Sequence, residues 1–177
     1  NEREGNGILR VVAESPDQSF TVSQIDGDIM GHILVIGRAD QADALESIAN
    51  IGLRGLVAAS VPNHLLPLVQ NFSFPVYLTE GVGQAPMSSP ILQLLQELNE
   101  REASLFCQGL PRPELIVVRD TPASQDEQAL IRPLKVGQLV RSLRYPEAGQ
   151  VGQISRLYRH TAVTASGIKA QGADVRL

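Results

Sequence analysis

Three short, almost continuous apolar runs constrain the fold of this chain most strongly. They cover residues 33–36, 55–59 and 75–79, and each has the length of a strand that is buried on both faces. Helix-like patterns separate the runs, and the alternation extends from about residue 7 to 118. Strands that alternate with helices typically form a parallel sheet covered by helices. We therefore predict an α/β domain over residues 1–119, with a parallel sheet flanked by helices.

The segments between and after these runs predict three helices. Residues 40–51 and 62–70 carry apolar side chains at helical spacing, and Asp40 is placed to cap the first of these helices. The third helix has Ser89 as its predicted N-cap and Pro90 at its first helical position. Its apolar residues recur at i, i+3, i+4 and i+7, namely Ile91, Leu94, Leu95 and Leu98.

Charge is divided unevenly along the chain. Residues 1–128 carry seven basic and seventeen acidic side chains, whereas residues 129–177 carry eight basic and two acidic ones. Residues 120–133 are polar and lack apolar periodicity, so we predict a linker there. The basic residues 134–177 are then expected to form a separate β module. No closing strand follows the strand pattern at residues 173–177, so we expect this module to be incomplete.

The basic module carries glycine turns at a recognisable spacing. Val136-Gly137-x-x-Val140 is followed by Gly149-x-x-Gly152-x-Ile154. This pattern resembles the KOW motif, a short SH3-like element of several ribosomal proteins and transcription elongation factors. The resemblance covers residues 133–157 and implies a small SH3-like β-barrel that binds RNA or protein. The preceding segment, residues 31–89, is similar to the α/β part of uncharacterised bacterial proteins that carry a barrel module downstream, which implies an architecture and no activity.

The same resemblance implies which side chains form the binding surface of the module. The nearest candidates are Arg141, Arg144, Tyr145 and Arg156. Three guanidinium groups and one aromatic ring can supply the phosphate contacts and the stacking surface that nucleic-acid binders use. The alternative is that these residues keep the barrel soluble or pair with the acidic domain.

A second candidate site follows from the predicted sheet. Ligands of open parallel sheets bind where loops leave the carboxyl ends of the strands. In this chain those positions hold Arg38, Ser60, Thr79, Glu80, Gly81 and Gly83. An arginine and two glycine amides on one rim predict a site for a small anion. The alternative is that Ser60 only caps a helix, the glycines only form turns and Glu80 is a solvated loop acid.

No residue pattern indicates a catalytic residue, a metal site or a cofactor. The single cysteine, Cys107, and the separated histidines His32, His64 and His160 lack the close spacing of zinc ligands. A complete dinucleotide or triphosphate fingerprint and the serine elbow of the α/β hydrolases are also missing from the sequence. One cysteine cannot form an internal disulfide, and the apolar runs are far shorter than the ~20 residues that span a bilayer. We therefore expect a cytoplasmic protein with no membrane segment.

Together these patterns favour a binding or scaffolding protein that uses its basic KOW-type module. The expected partner is another protein or the rest of the same chain. Two alternatives remain open, a small-anion sensor or enzyme with its site at the strand ends, and an RNA-associated factor.

Overall fold

The computed structural model describes residues 3–25, 27–107, 113–118, 133–142, 150–163, 167 and 169–177. The chain divides into two compact units, Asn1–Asp120 and Thr121–Leu177. The described residues are 41% strand and 20% helix, and their three α-helices are short.

The described part of the first unit contains a six-stranded sheet and three α-helices. Its strands are β1 (Glu4–Val11), β2 (Ile33–Val35), β3 (Gly55–Val61), β4 (Val76–Val82), β5 (Glu102–Phe106) and β6 (Glu114–Val117). Its helices are α1 (Ala42–Ala49), α2 (Leu66–Gln70) and α3 (Ser89–Glu97), with 3-10 turns at Val22–Gln24 and Asn63–Leu65. The strand order is β4-β3-β2-β1-β5-β6.

The predicted fold class is wrong, because the sheet is mixed. Strands β1 to β4 run parallel, but β5 lies antiparallel to β1 and β6 antiparallel to β5. The helices are too short to make this a parallel sheet flanked by helices, and strands make up about twice as much of the structure as helices do. The correct description is a mainly β protein with two sheets.

The path of α3 explains why β5 reverses direction. Residue Ser88, just before the helix, donates its amide to Glu80 in β4, and Gln96 in the last turn donates its side-chain amide to the Ala13 carbonyl just beyond β1. Both ends of α3 therefore lie at the carboxyl end of the sheet. A nine-residue helix is ~13 Å long, which matches the ~14 Å between strands three positions apart. Because α3 crosses the strands instead of running back along them, β5 starts at the carboxyl end and must run antiparallel to β1.

Two apolar layers cover the two faces of the sheet. One layer joins α1 and α2 to the sheet residues Leu34, Ile36, Leu56 and Ala58. The other layer joins α3 and β5 to the alternate sheet residues, which include Ile33, Val35, Val57 and Ala59. All seven residues of β3 and all three of β2 are buried, so these neighbouring strands are covered on both faces.

The lack of a side chain at Gly5 allows β1 to approach the backbone that leads into β3. The first half of β1 extends beyond the start of β2, and there it passes the chain that leads into β3. A Cβ atom on residue 5 would overlap the carbonyl group of Arg54. Glycine is therefore required at this position by space, since any side chain would push two backbone segments apart.

The second unit contains three described strands, β7 (Leu139–Arg141), β8 (Val151–Val163) and β9 (Lys169–Arg176). They form an antiparallel sheet in the order β7-β8-β9, in which Val140 lies opposite Gly152 and Leu157 opposite Ala173. Within the described residues this is an open sheet, which corrects the SH3-like barrel of the predicted fold class. Ile154 is the large side chain that this sheet buries fully. The predicted linker at residues 120–133 lies outside the described residues, apart from Pro133.

Candidate functional site

The carboxyl ends of β2, β3 and β4 meet at one rim, as the sequence predicts for adjacent parallel strands. The amide of Ala39 donates to the carbonyl oxygen of Ser60 at 2.8 Å, and Ser60 lies opposite Gly81 in the sheet. The structure thus brings the ends of the three predicted loops together. Whether the rim can bind an anion depends on what its side chains already contact.

Arg38 is held in a compact polar cluster with Ser19 and Asp40. Its Nη2 donates to Ser19 Oγ at 2.9 Å, and Ser19 Oγ donates to Asp40 Oδ2 at 2.9 Å. The Arg38 Nε atom lies 3.6 Å from the same carboxylate oxygen. The prediction that Asp40 caps α1 is wrong, since the N-cap is Gln41 and no side chain caps that position. The charge of Arg38 is therefore balanced inside the protein by Asp40.

Ser60, Thr79 and Glu80 hold the loop after β4 against the sheet. The buried hydroxyl of Ser60 donates to the Ala85 carbonyl oxygen at 2.7 Å. Glu80 Oε1 accepts from the Ser88 amide at 3.1 Å and from Thr79 Oγ1 at 3.3 Å. A carboxylate at the N-terminus of α3 is favoured by the unpaired amides and the dipole of the helix. These three side chains therefore position the start of α3.

The two rim glycines shape this loop. Gly81 and Gly83 have φ angles of 84° and 141°, and the Gly83 amide donates to the Val61 carbonyl oxygen at 2.8 Å. The Gly83 amide therefore already donates its hydrogen bond within the sheet. The rim residues are brought together as predicted, but each side chain named for the site has a partner within the first unit.

The second unit presents an exposed polar cluster on β8 and β9. The guanidinium carbon of Arg156 lies 5.4 Å from the centroid of the Tyr158 ring, within the range of a cation–π contact. The Tyr158 hydroxyl donates to Asp174 Oδ1 at 2.6 Å. Arg156 and Asp174 are opposite one another in the two strands. We call these three residues, together with His160, the β8 cluster.

The Tyr158 ring is held in place by a contact with β9 as well as by the hydrogen bond of its hydroxyl. A Cβ atom on Gly172 would lie 3.0 Å from Tyr158 Cδ2, so the ring lies directly over this glycine of β9. The hydrogen bond to Asp174 raises the pKa of the Tyr158 phenol, and the charge of that carboxylate adds to the effect. The ring is therefore held as a neutral phenol in a defined position, although it lies at the surface.

Two recesses lie beside basic residues of the second unit. Arg156, Leu157, Tyr158 and His160 line an open recess of about 360 Å³. Arg141 lies next to a smaller one of about 270 Å³, whose other walls are Val140, Ser142, Val175 and Leu177. Of the four binding residues implied by the KOW resemblance, Arg141 and Arg156 thus border recesses, and Arg144 and Tyr145 lie outside the described residues.

Three members of the β8 cluster were not predicted as binding residues: Tyr158, His160 and Asp174. A pattern for two of them exists in the sequence, because alternate residues of a strand share a face and Arg156, Tyr158 and His160 are alternate residues. No comparable pattern identifies Asp174, because its position beside Tyr158 depends on the register between two strands.

Among the described residues, no three histidine, cysteine or acidic side chains lie close enough to share a metal ion. In the same part of the chain, every helix is too short or too polar to cross a membrane. Comparison with protein-family models, with curated proteins and with solved structures finds no match to this chain.

Proposed function

We propose that this chain is a binding protein and that the sheet of its second unit contacts an acidic protein partner. One observation supports this proposal above all: the described strands of that unit expose basic and apolar side chains together. Asp174 is the one acidic side chain in the described part of the unit, and it is already bound to Tyr158.

The apolar part of this surface favours a protein partner. Four side chains are each exposed by more than 60% of their surface, namely Val136, Leu139, Val163 and Leu177, and Leu134 and Val175 are also exposed. Val175 and Leu177 line one recess together with Val140, and apolar side chains grouped in this way are typical of protein interfaces, whose centres are depleted in charge. The neighbouring basic side chains would attract acidic groups and speed the encounter.

The β8 cluster is the expected centre of the interface. Tyrosine and arginine are the residues that most often contribute strongly to binding when they are buried by a partner. Arg156 stacks on a ring that Gly172 and Asp174 hold in place, so less side-chain freedom is lost when a carboxylate binds its guanidinium. A bidentate contact between Arg156 and a partner carboxylate would then form with little rearrangement.

A second candidate function, the binding of single-stranded RNA, is favoured by the same stack of Arg156 on Tyr158. Aromatic rings and guanidinium planes on a sheet are the surfaces on which unpaired bases stack. In the described part of the second unit, Tyr158 is the one residue among phenylalanine, tyrosine and tryptophan, whereas apolar aliphatic side chains are numerous. This composition is the reason for placing the protein partner first.

Fluorescence anisotropy of two labelled probes tests both functions on the whole chain. The probes are a peptide of alternating glutamate and leucine and a single-stranded polyuridylate. We expect the peptide to bind, and Arg156→Gln and Tyr158→Ala to weaken its binding about fivefold to tenfold, equivalent to about 1–1.4 kcal/mol. Arg54→Gln, which removes an equal charge from the exposed surface of the first unit, should leave the binding unchanged.

The salt dependence separates the two functions. Binding of the peptide should weaken modestly with salt, because its apolar contacts do not depend on ions. RNA binding would instead fall with a log–log slope of about −0.7 for each phosphate neutralised. If polyuridylate alone binds, and its binding depends steeply on salt, RNA is the partner instead of an acidic protein. If neither probe binds, or if Arg54→Gln weakens binding as much as Arg156→Gln, the proposal is wrong.

A further inference from the structure

An open cleft in the first unit lies beside the starts of β1 and β4, away from the rim at the carboxyl ends of β2, β3 and β4. Its volume is about 500 Å³, within the range of small-molecule sites. Its apolar lining consists of Val76 and Leu78 from β4 and Val69 from α2. Three polar residues complete the lining, Arg3, Gln70 and Cys107.

Three segments distant in sequence form the polar side of this cleft. Arg3 precedes β1, and its Nη2 donates to the carbonyl oxygen of Gln70, the last residue of α2, at 2.8 Å. The Cys107 amide donates to the Arg3 carbonyl oxygen at 3.2 Å, and Cys107 Sγ donates to the Val76 carbonyl oxygen at 3.4 Å. These bonds connect the starts of β1 and β4 with the end of β5, so the polar side is held by the backbone of the sheet.

The chemistry of the lining selects a ligand class. Val69, Val76 and Leu78 offer apolar contact, and Arg3 is the one charged residue among the six that line the cleft. A guanidinium carries five N–H donors, so it can hold the Gln70 carbonyl and bind an anion at the same time. Burial raises the pKa of the Cys107 thiol more than the charge of Arg3 lowers it, so at neutral pH the thiol carries no charge that would repel an anion.

We infer that this cleft binds a small molecule with an anionic head group and an apolar body. The head group contacts the Arg3 guanidinium, and the body lies along Val69, Val76 and Leu78. This binding is independent of the function proposed for the second unit, because every residue that lines the cleft belongs to Asn1–Asp120.

The single cysteine makes the test direct. Because Cys107 is the sole cysteine of the chain and lines the cleft, its rate of alkylation by iodoacetamide at constant pH reports occupancy. The probes are octanoate, octyl phosphate, octylamine and 1-octanol, which share one apolar chain. We expect octanoate or octyl phosphate to slow alkylation at concentrations about tenfold lower than octylamine or octanol, because a charge-assisted bond to arginine forms only with an anion.

Two variants test the roles assigned to Arg3 and Leu78. Arg3→Gln should remove the preference for an anion while leaving the weak protection by octanol unchanged, and Leu78→Ala should weaken protection by all four probes. Arg54→Gln is the matched control and should behave as the natural chain does. Titration calorimetry with octanoate provides a second readout for any variant whose alkylation rate changes without a ligand.

The outcomes are distinct. Protection by octanoate alone identifies a carboxylate ligand, and protection by octyl phosphate alone identifies a phosphate ligand. Equal protection by octylamine, persistence of the anion preference in Arg3→Gln, or no protection by any probe overturns the inference. None of these results depends on the peptide and RNA binding tested for the second unit.

Discussion

Tyr158 determines how the exposed face of β8 is organised. It packs over Gly172, donates a hydrogen bond to Asp174 and lies beneath the guanidinium of Arg156. A tyrosine at the surface normally keeps much of its rotational freedom. Here three contacts from two strands restrict the ring, so the ring and the Arg156 guanidinium stacked on it keep a defined orientation.

The first prediction concerns the pKa of this tyrosine. Asp174 raises the pKa of the Tyr158 phenol, so the hydrogen bond persists below the ordinary phenol value of about 10 and is lost as the pH rises through the raised value. In Asp174→Asn the negative charge is gone, and the Tyr158 phenolate should appear at lower pH. Absorbance of the phenolate against pH measures this shift, and Tyr158→Phe identifies which part of the curve belongs to Tyr158. Identical curves for Asp174→Asn and the natural chain would contradict the assignment.

Among the elements, α3 and β1 decide the shape of the first unit. The helix crosses the strands from β4 to β1, with Glu80 at its start and Ala13 at its end. The residue that leads into β5, Glu100, has a φ of 64°, so the chain turns sharply after the helix. The first half of β1 then accepts β5 as its antiparallel neighbour.

The second prediction concerns the close approach of β1 to the chain before β3. Gly5→Ala should lower the free energy of unfolding by about 1–3 kcal/mol, the usual cost of adding atoms to a packed region, because the new Cβ overlaps the Arg54 carbonyl. Gly27→Ala is the control, since a Cβ there meets no atom within 4 Å. Its effect should stay within about 0.5 kcal/mol. Urea unfolding of both variants measures the difference, and equal stabilities would show that β1 can move away from Arg54 at no cost.

At the scale of the whole molecule, the two units differ in how much side-chain surface their strands bury. Every residue of β3 is buried and both faces of its sheet carry an apolar layer. In contrast, the described residues of β9 are exposed or half-buried. A strand whose described side chains are all at least partly exposed depends more on its backbone hydrogen bonds, which open more readily when water reaches them.

The third prediction follows from this difference. In native-state hydrogen exchange, amides of β3 such as Val57 and Ala59 should open only with global unfolding of the first unit. Amides of β9 such as Gln171 and Ala173 should have a free energy of opening that is lower by about 2 kcal/mol or more. Exchange followed by NMR resolves the individual amides. Equal protection of β3 and β9 would show that the second sheet is as stable as the first.

The local elements of the first unit were largely predictable. The runs at residues 55–59 and 75–79 correspond to β3 and β4, and the predicted helix near residue 89 corresponds to α3. The rim was also predictable, because the carboxyl ends of adjacent parallel strands must meet. The contacts that the rim side chains make were not predictable from the sequence. Asp40 looks like a helix cap in the sequence, yet it pairs with Arg38 and Ser19, because Ser19 is brought beside it by the bridge between Ser19 and Arg38.

The sequence by itself therefore determined where strands and helices form and how charge is divided, because apolar periodicity and composition are local properties of the chain. The tertiary structure decided the direction of β5, the open cleft at Arg3 and the contact of Tyr158 with Asp174. Each of these depends on residues far apart in sequence that meet only through a particular strand register or helix path. Periodicity contains no information about that register, and so a chain that alternates strand and helix patterns folded into a mixed, mainly β structure.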